Sequence, residues 1–379
     1  MPHLYRVLLL IESSRASGRS LLRGIAGFAR HHGRWLCHWE TGGLEKAWPH
    51  LRAFQAEGII MRDVDRVDEA LEYHVPLVVV GHSRQEIPGV VNLVSDSETI
   101  GRLGAEHLLN CGLKNIAFYG LAGVPWSEER AASFTARVAE AGLETHQYRT
   151  PPGISSEEER QALARWLASL PHPLGVMACN DDHGQQVIEA AKIAGLRLPD
   201  EVAVLGVDND ELVCELSSPP MSSVAVNFER AGYESAQLLD RLMRGQSPPA
   251  MRIVARAVGV VTRQSTDILA VQDVRVAAAL RYIRTHADVP LTVTEVARAS
   301  GMSRRALEKQ FRALLDRSIR REIARVRVER ICRLLEETNQ PISQIAEAMG
   351  FVGQEHFARY FRAEKGITPL AYRRKFARY

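Results

Sequence analysis

Short apolar runs of strand length recur through the first 265 residues: Val7–Ile11, Leu36–Trp39, Gly58–Met61, Leu77–Gly81, Val91–Val94, Ile116–Gly120, Gly175–Cys179 and Val202–Val207. Between them apolar residues fall at helical spacing, as in Gly18–His31, Glu98–Asn110, Glu128–Ala141, Ser156–Ser169 and Gly184–Ala194. Strands alternating with helices at this spacing predict parallel sheets joined by right-handed crossovers. Near residue 267 the alternation stops and the pattern becomes helical throughout. From residue 291 to 365 one pattern occurs twice. The first copy runs Val296-Ala297, Gly301-Met302-Ser303, Leu307 and Phe311; the second runs Ile345-Ala346, Gly350-Phe351, Phe357 and Phe361. The offset is 49 residues at the start and 50 at the end. Each copy reads as a short helix, a glycine where the backbone turns sharply, and a second helix with apolar residues at i and i+4, which is helix-turn-helix grammar.

Capping residues support the helices. Thr292 stands three before Glu295, a capping box in which hydroxyl and carboxylate each satisfy a backbone N–H, and Ser303 suits the N-cap of the next helix. In the second copy Gly353 replaces that serine and the turn gains one residue. One copy alone is as well explained by an ordinary αα-hairpin. Two copies in register are not.

Charge divides the chain at the same place. Residues 270–379 hold 22 Lys+Arg and 12 Asp+Glu, a surplus of ten positive charges, while the preceding 269 residues hold 26 and 33, a deficit of seven. A basic module beside an acidic body fits a polyanionic partner, because phosphates dominate nucleic-acid affinity. Two domains are expected, 1–267 and 268–379. At 46% hydrophobic and 25% charged the chain has the composition of a soluble globular protein. No apolar stretch reaches membrane-spanning length and no leader is evident near Met1. The five cysteines, at 37, 111, 179, 214 and 332, form no C-x-x-C pair, so a reducing cytoplasm is expected, without a disulfide framework or zinc site.

Parallel sheets bind ligands at the carboxyl ends of their strands. Polar residues there are Ser13 and Ser14, Asp96, Asn180-Asp181 and Asp208-Asn209. Each alone is better explained as a helix cap, and it is their recurrence that points to a site. Carboxylates and amides can also hold vicinal hydroxyls in pairs, an arginine can donate to a sugar oxygen, and an aromatic face suits a sugar's C–H side. Arg130 and Trp126, after Ile116–Gly120, offer the last two. On the repeat, Arg304, Arg305, Glu308 and Lys309 of the first unit and Gln354, Glu355, His356 and Arg359 of the second lie opposite the core stripe and are candidate base readers. Arg373, Arg374 and Lys375 lie beyond the motif and are assigned to phosphates.

The run His356-Phe357-Ala358-Arg359-Tyr360-Phe361-Arg362, followed by Lys365-Gly366-Ile367-Thr368-Pro369 and Tyr372-Arg373, resembles the C-terminal signature of AraC-type transcription regulators. That resemblance covers roughly residues 272–376 and implies a seven-helix domain whose two helix-turn-helix units, joined by a long helix near 319–337, enter successive major grooves of double-stranded operator DNA. Residues 5–264 resemble the fold shared by LacI-type regulators and periplasmic ribose-binding proteins. The resemblance is clearest in Asn180-Asp181, Val204-Leu205-Gly206-Val207-Asp208-Asn209 and Pro220-Met221-Ser222-Ser223-Val224. It implies a two-lobed sugar sensor in which Asp96, Arg130, Asn180 and Asp208 hold hydroxyls; Val226 departs from the glutamine frequent at its position. The two together, with Trp126-Ser127-Glu128-Glu129-Arg130 and Thr262-Arg263-Gln264-Ser265-Thr266-Asp267, resemble the XylR class of bacterial xylose regulators. This implies xylose as effector, a homodimer, activation through RNA polymerase and no cofactor. The expected fold class is α/β, a two-lobed periplasmic-binding-protein-like sensor of parallel sheets, plus an all-α C-terminal domain.

Two other functional classes fit the sequence less well. Asp181-Asp182-His183 offers carboxylates beside an imidazole, but neighbours at a helix start point in different directions, and no G-x-S-x-G, Walker loop or H-E-x-x-H is present. Gly24-Ile25-Ala26-Gly27 lies inside a helical pattern and is expected at a close helix contact, not a phosphate loop. A sugar carrier for transport would have no use for residues 270–379.

Overall fold

The structure, a computed structural model, describes residues 3–32, 34–40, 54–62, 67–81, 86–150, 156–247, 250–267 and 273–376. The chain divides into two compact units near residue 268. The expected domain boundary abuts residues 268–272, which lie outside the described residues.

The first unit contains twelve described strands: β1 (Tyr5–Leu10), β2 (Trp35–Trp39), β3 (Gly58–Arg62), β4 (Leu77–Val80), β5 (Val91–Ser95), β6 (Asn115–Leu121), β7 (Thr145–Thr150), β8 (Leu174–Ala178), β9 (Val202–Asp208), β10 (Ser222–Val226), β11 (Arg252–Ala255) and β12 (Ala257–Val261). They form two six-stranded sheets, ordered β11-β5-β4-β3-β1-β2 and β12-β10-β9-β8-β6-β7. All pairs in the first are parallel. In the second, β12 alone runs antiparallel, against β10. The expected parallel sheets are therefore present, each the floor of one lobe.

Strands sandwiched between helices must be apolar on both faces, and β3, β4 and β8 are buried at every residue. Their apolar runs matched the structure to within a residue or two. Strands β7, β10, β11 and β12 carried no such run. Strand β10, with Ser222-Ser223 at its start, is buried over Ser222–Ala225 in the interior of its sheet. The other three lie at sheet edges, where one side meets water and polar residues are tolerated, as in Thr145-His146-Gln147-Tyr148-Arg149-Thr150.

The chain crosses between lobes more than once, and the crossing that starts at Asn227 matters most for packing. Helix Phe228–Met243 lies against helix Ala16–His31 in the first lobe, with Phe28, Leu21, Ile25, Ala236 and Leu239 in a shared core. The helices approach so closely that a Cβ on Gly24 would sit 1.9 Å from the Glu229 carbonyl oxygen, and one on Gly232 2.2 Å from that of Leu21. Gly24-Ile25-Ala26-Gly27 is thus the helix contact expected of it.

The second unit has seven described helices: Val274–Thr285, Val293–Ala299, Arg304–Leu315, Ile319–Glu337, Ile342–Ala348, Gln354–Lys365 and Pro369–Phe376. The capping box at Thr292 and Glu295 is present, and Ser303 accepts from the Ala306 N–H. The two sequence copies are two structural copies. Gly301 and Gly350 turn with φ +67° and +70°, and Leu307, Phe311, Phe357 and Phe361 are fully buried. Two cores result, and helix Ile319–Glu337 supplies both, giving Ile319, Ile323 and Val326 to one and Val328, Ile331 and Leu335 to the other.

The Gly24 contact yields a test. Gly24→Ala must push two backbones apart and is expected to cost about 1–3 kcal/mol, whereas at Gly27, where the nearest atom is a Tyr233 ring carbon at 4.0 Å, alanine should be tolerated. Urea denaturation of both variants reads the difference. Equal midpoints would refute the close packing.

Candidate functional site

A cleft with about 50 Å³ of free volume lies between the lobes, where the carboxyl ends of the two sheets face each other. The first lobe contributes Arg15 and Ser17 after β1, Arg62 closing β3, Val80 and Gly81 of the β4 end, and Leu93 and Ser95 of β5; the second contributes Trp126, Arg130, Asn180 and Asp208, with Phe228 after β10. Chain topology explains the gathering, since every parallel strand delivers its following residue to the same edge.

Four of the five expected ligand residues meet here. Arg130 is only 3% exposed. Its Nη1 donates to the Cys179 carbonyl, its Nη2 donates to Ser95 Oγ of the opposite lobe at 3.2 Å, and its guanidinium lies 4.7 Å from the Trp126 ring centroid. Asp208 Oδ1 is 3.9 Å from Arg130 Nη2, too far for a hydrogen bond. The Asp208 backbone is strained, with φ +100°, followed by Asn209 at +53°. The turn is held by its neighbours: Asn209 N donates to Ser223 Oγ, Asp210 N donates to Asp181, and Arg263 donates to Asn209 Oδ1. Strain retained by so many contacts is typical of a functional site. Burial raises the Asp208 carboxyl above its ordinary range, while Arg130 and Arg62 oppose the rise. Asn180 both lines the cavity and caps helix Asp181–Ile193, its Oδ1 accepting from His183 N at 2.9 Å.

Asp96 does not join this set. Leu93 and Ser95 face the cavity, so period-two alternation sends Asp96 elsewhere, and its Oδ1 accepts from Thr99 N at 3.3 Å as a helix cap. Val226 packs beside the first lobe's core, and Phe228 reaches the cavity instead. Arg15, Ser17, Arg62 and Ser95 were not singled out from sequence. Arg62 was findable, because it directly follows the run Gly58–Met61 and so holds the strand-end position that flagged the others.

The triplet Asp181-Asp182-His183 is dispersed. Asp181 accepts from Ser223 Oγ and Asp210 N, each at 2.6 Å; Asp182 pairs with Arg15 at 2.8 Å; and His183 Nδ1 lies 2.6 Å from Asn180 Oδ1. Three neighbours with three separate tasks do not form a catalytic unit.

All nine candidate DNA contacts are exposed: Arg304, Arg305, Glu308, Lys309, Gln354, Glu355, His356, Arg359 and Arg374. Arg304 Nε donates to Glu308 Oε1 at 3.0 Å, an i,i+4 pair along the exposed helix face. The expected phosphate contact Lys375 is exposed and Arg373 half-buried. Among the described residues no helix is long and apolar enough to cross a membrane, and all five cysteines are free.

The lobes are latched beside the cavity. Asp210, on the second lobe, accepts from Ala16 N at 2.7 Å and from Arg19 Nη2 at 3.0 Å on each oxygen. Asp210→Ala removes charge-assisted bonds worth about 1.5–3 kcal/mol and is predicted to speed hydrogen exchange at the Ala16 amide in the unliganded protein. Wild-type protection there would show that the latch does not hold the lobes.

A model of the periplasmic binding protein-like domain matches residues 105–266, and one of a helix-turn-helix domain matches residues 296–375. The chain is 30% identical to the xylose operon regulatory protein of Escherichia coli K12, with 97% of each chain covered. It is 28% identical to that of Haemophilus influenzae, covering 97% of this chain and 98% of the relative. A solved structure described as the xylose-binding transcription activator XylR superposes with a TM-score of 0.62 at 28% identity over 99% of both chains. This chain belongs to the family of xylose operon regulatory proteins, transcription regulators that join a periplasmic-binding-protein-like sensor to a DNA-binding helix-turn-helix domain.

Proposed function

We propose that the interlobe cavity is the effector site of this regulator, that it takes a pentose of the xylose class, and that a cytoplasmic homodimer activates transcription through RNA polymerase when the site is filled. One observation carries the assignment. Asp208 Oδ1 and Arg130 Nε are buried without a hydrogen-bond partner, and polar groups left so are costly unless a ligand completes them. Sugar hydroxyls are suited to that task, donating to the carboxylate and accepting from the guanidinium, while Trp126 offers a ring face. Activation is supported by the solved relative described as an activator. Sugar can switch the protein only if it binds one DNA-binding arrangement better than another.

In this reading Asp208→Ala and Arg130→Ala each weaken xylose binding by about 1.5–3 kcal/mol and leave operator affinity without sugar unchanged. Titration calorimetry and a gel-shift assay measure the two halves. Wild-type xylose affinity in both variants would place the effector elsewhere.

The exposed faces of helices Arg304–Leu315 and Gln354–Lys365 are proposed to read bases. Arginine pairs with guanine, glutamine with adenine and glutamate with cytosine, each good bidentate pair giving about 1–3 kcal/mol of discrimination. Selection from a randomised operator library should find relaxed preference at particular base pairs for Arg305→Ala and Arg359→Ala, and uniformly weaker binding for Arg374→Ala, a phosphate contact. Unchanged base preferences in both of the first two variants would mean that other residues read the operator.

A further inference from the structure

The cavity carries more positive charge than a neutral sugar requires. Its charged lining comprises Arg15, Arg62 and Arg130 against Asp208. Arg15 is already paired with Asp182 at 2.8 Å. Arg62 is different: it is 9% exposed, its Nη2 donates to Ser17 Oγ at 3.2 Å, and its Nε is buried with no hydrogen-bond partner. The nearest carboxylate paired with it, Glu12, stands 3.9 Å away with a side chain 44% exposed, so that attraction is long and screened by water. Within the cavity, two guanidiniums with unsatisfied Nε–H groups, on Arg62 and Arg130, face one carboxylate. Counted over the lining alone, with Arg15 set against Asp182, the surplus is one positive unit, which Glu12, 3.9 Å from Arg62 and 44% exposed, offsets only in part.

Burying a guanidinium without a matching acceptor is unfavourable, and the strongest acceptor for it is a carboxylate, which can take two N–H bonds in parallel. Resting on the reading of this cavity as a sugar site, we propose that its preferred ligand is a sugar acid, a five- or six-carbon polyol bearing one carboxylate, with the carboxylate toward Arg62 and the hydroxyls toward Asp208 and Arg130. A monoanion matches the surplus charge. A phosphate dianion would exceed it and bring excess negative charge beside buried Asp208. A neutral sugar can offer Arg62 a hydroxyl oxygen as acceptor but no compensating charge. Arg62 is then the residue that selects for charge, and Asp208 and Arg130 hold what acid and neutral sugar share.

Titration calorimetry on the full-length protein with xylose, with its aldonate xylonate and with inorganic phosphate decides the matter. Xylonate is expected to bind at least about tenfold more tightly than xylose. In Arg62→Gln the ratio of the two affinities should fall to about one or below, while Arg62→Lys, which keeps the charge, retains the preference. Should Arg62→Gln fail to fold, the wild-type ratio and the lysine variant still decide. Xylose binding with xylonate equal or weaker overturns this inference and leaves the sugar reading standing. Binding of phosphate in preference to xylonate overturns it in favour of a phosphorylated ligand. Binding of none of the three overturns both readings.

Discussion

A cation with almost no access to water organises the sensor. The Arg130 guanidinium cannot shed its charge, and burial in protein removes the hydration that stabilises it. The surrounding chain replaces that hydration piece by piece: a carbonyl from Cys179, a hydroxyl from Ser95, the face of Trp126 and the field of Asp208. Ser95 belongs to one lobe and the other three to its counterpart. Closing the cleft is therefore part of solvating the arginine, and the substitute shell is incomplete at Nε and at Asp208 Oδ1. A site built this way is prepared for a polar guest without being satisfied before the guest arrives.

The helical unit rests on a different economy. Each helix-turn-helix copy is too small to enclose a core alone, so both borrow from helix Ile319–Glu337. Along this helix Val328, Ile331 and Leu335 follow Ile319, Ile323 and Val326 by eight or nine residues, which at 3.6 residues per turn sets the two triplets on different faces, one toward each core. The shared helix sets the spacing of the two exposed helix faces proposed to read bases, and under that proposal the operator matches this spacing.

How far the sequence disclosed this depended on burial. Central strands such as Gly58–Arg62 announce themselves because both faces are dry, and the duplicated unit because its buried Leu307/Phe311 and Phe357/Phe361 pairs recur in register. Edge strand Thr145–Thr150 has no such signature. At the site, the position after a strand was the right place to look, but which face a residue takes is decided by one step of alternation. Asp96 and Ser95 are neighbours with opposite fates, one a cap and one a cavity wall. Arg62 escaped because an arginine ending an apolar run looks like an ordinary solvated terminus; only the packing of Ser17 and the helix start around it reveals that it is buried.

The edge strands carry a consequence for how the protein is made. Strand β11 pairs with β5 some 160 residues earlier, and β12 completes the other sheet against β10. Neither lobe is a contiguous piece of chain. As the ribosome releases the polypeptide, β5 and β10 lack their outer partners until residues 252–261 have emerged, and pairing β11 with β5 across so long a loop is slow. Those exposed edges are templates for mispairing with other nascent chains. A single lobe therefore cannot be excised or exchanged as one segment of chain.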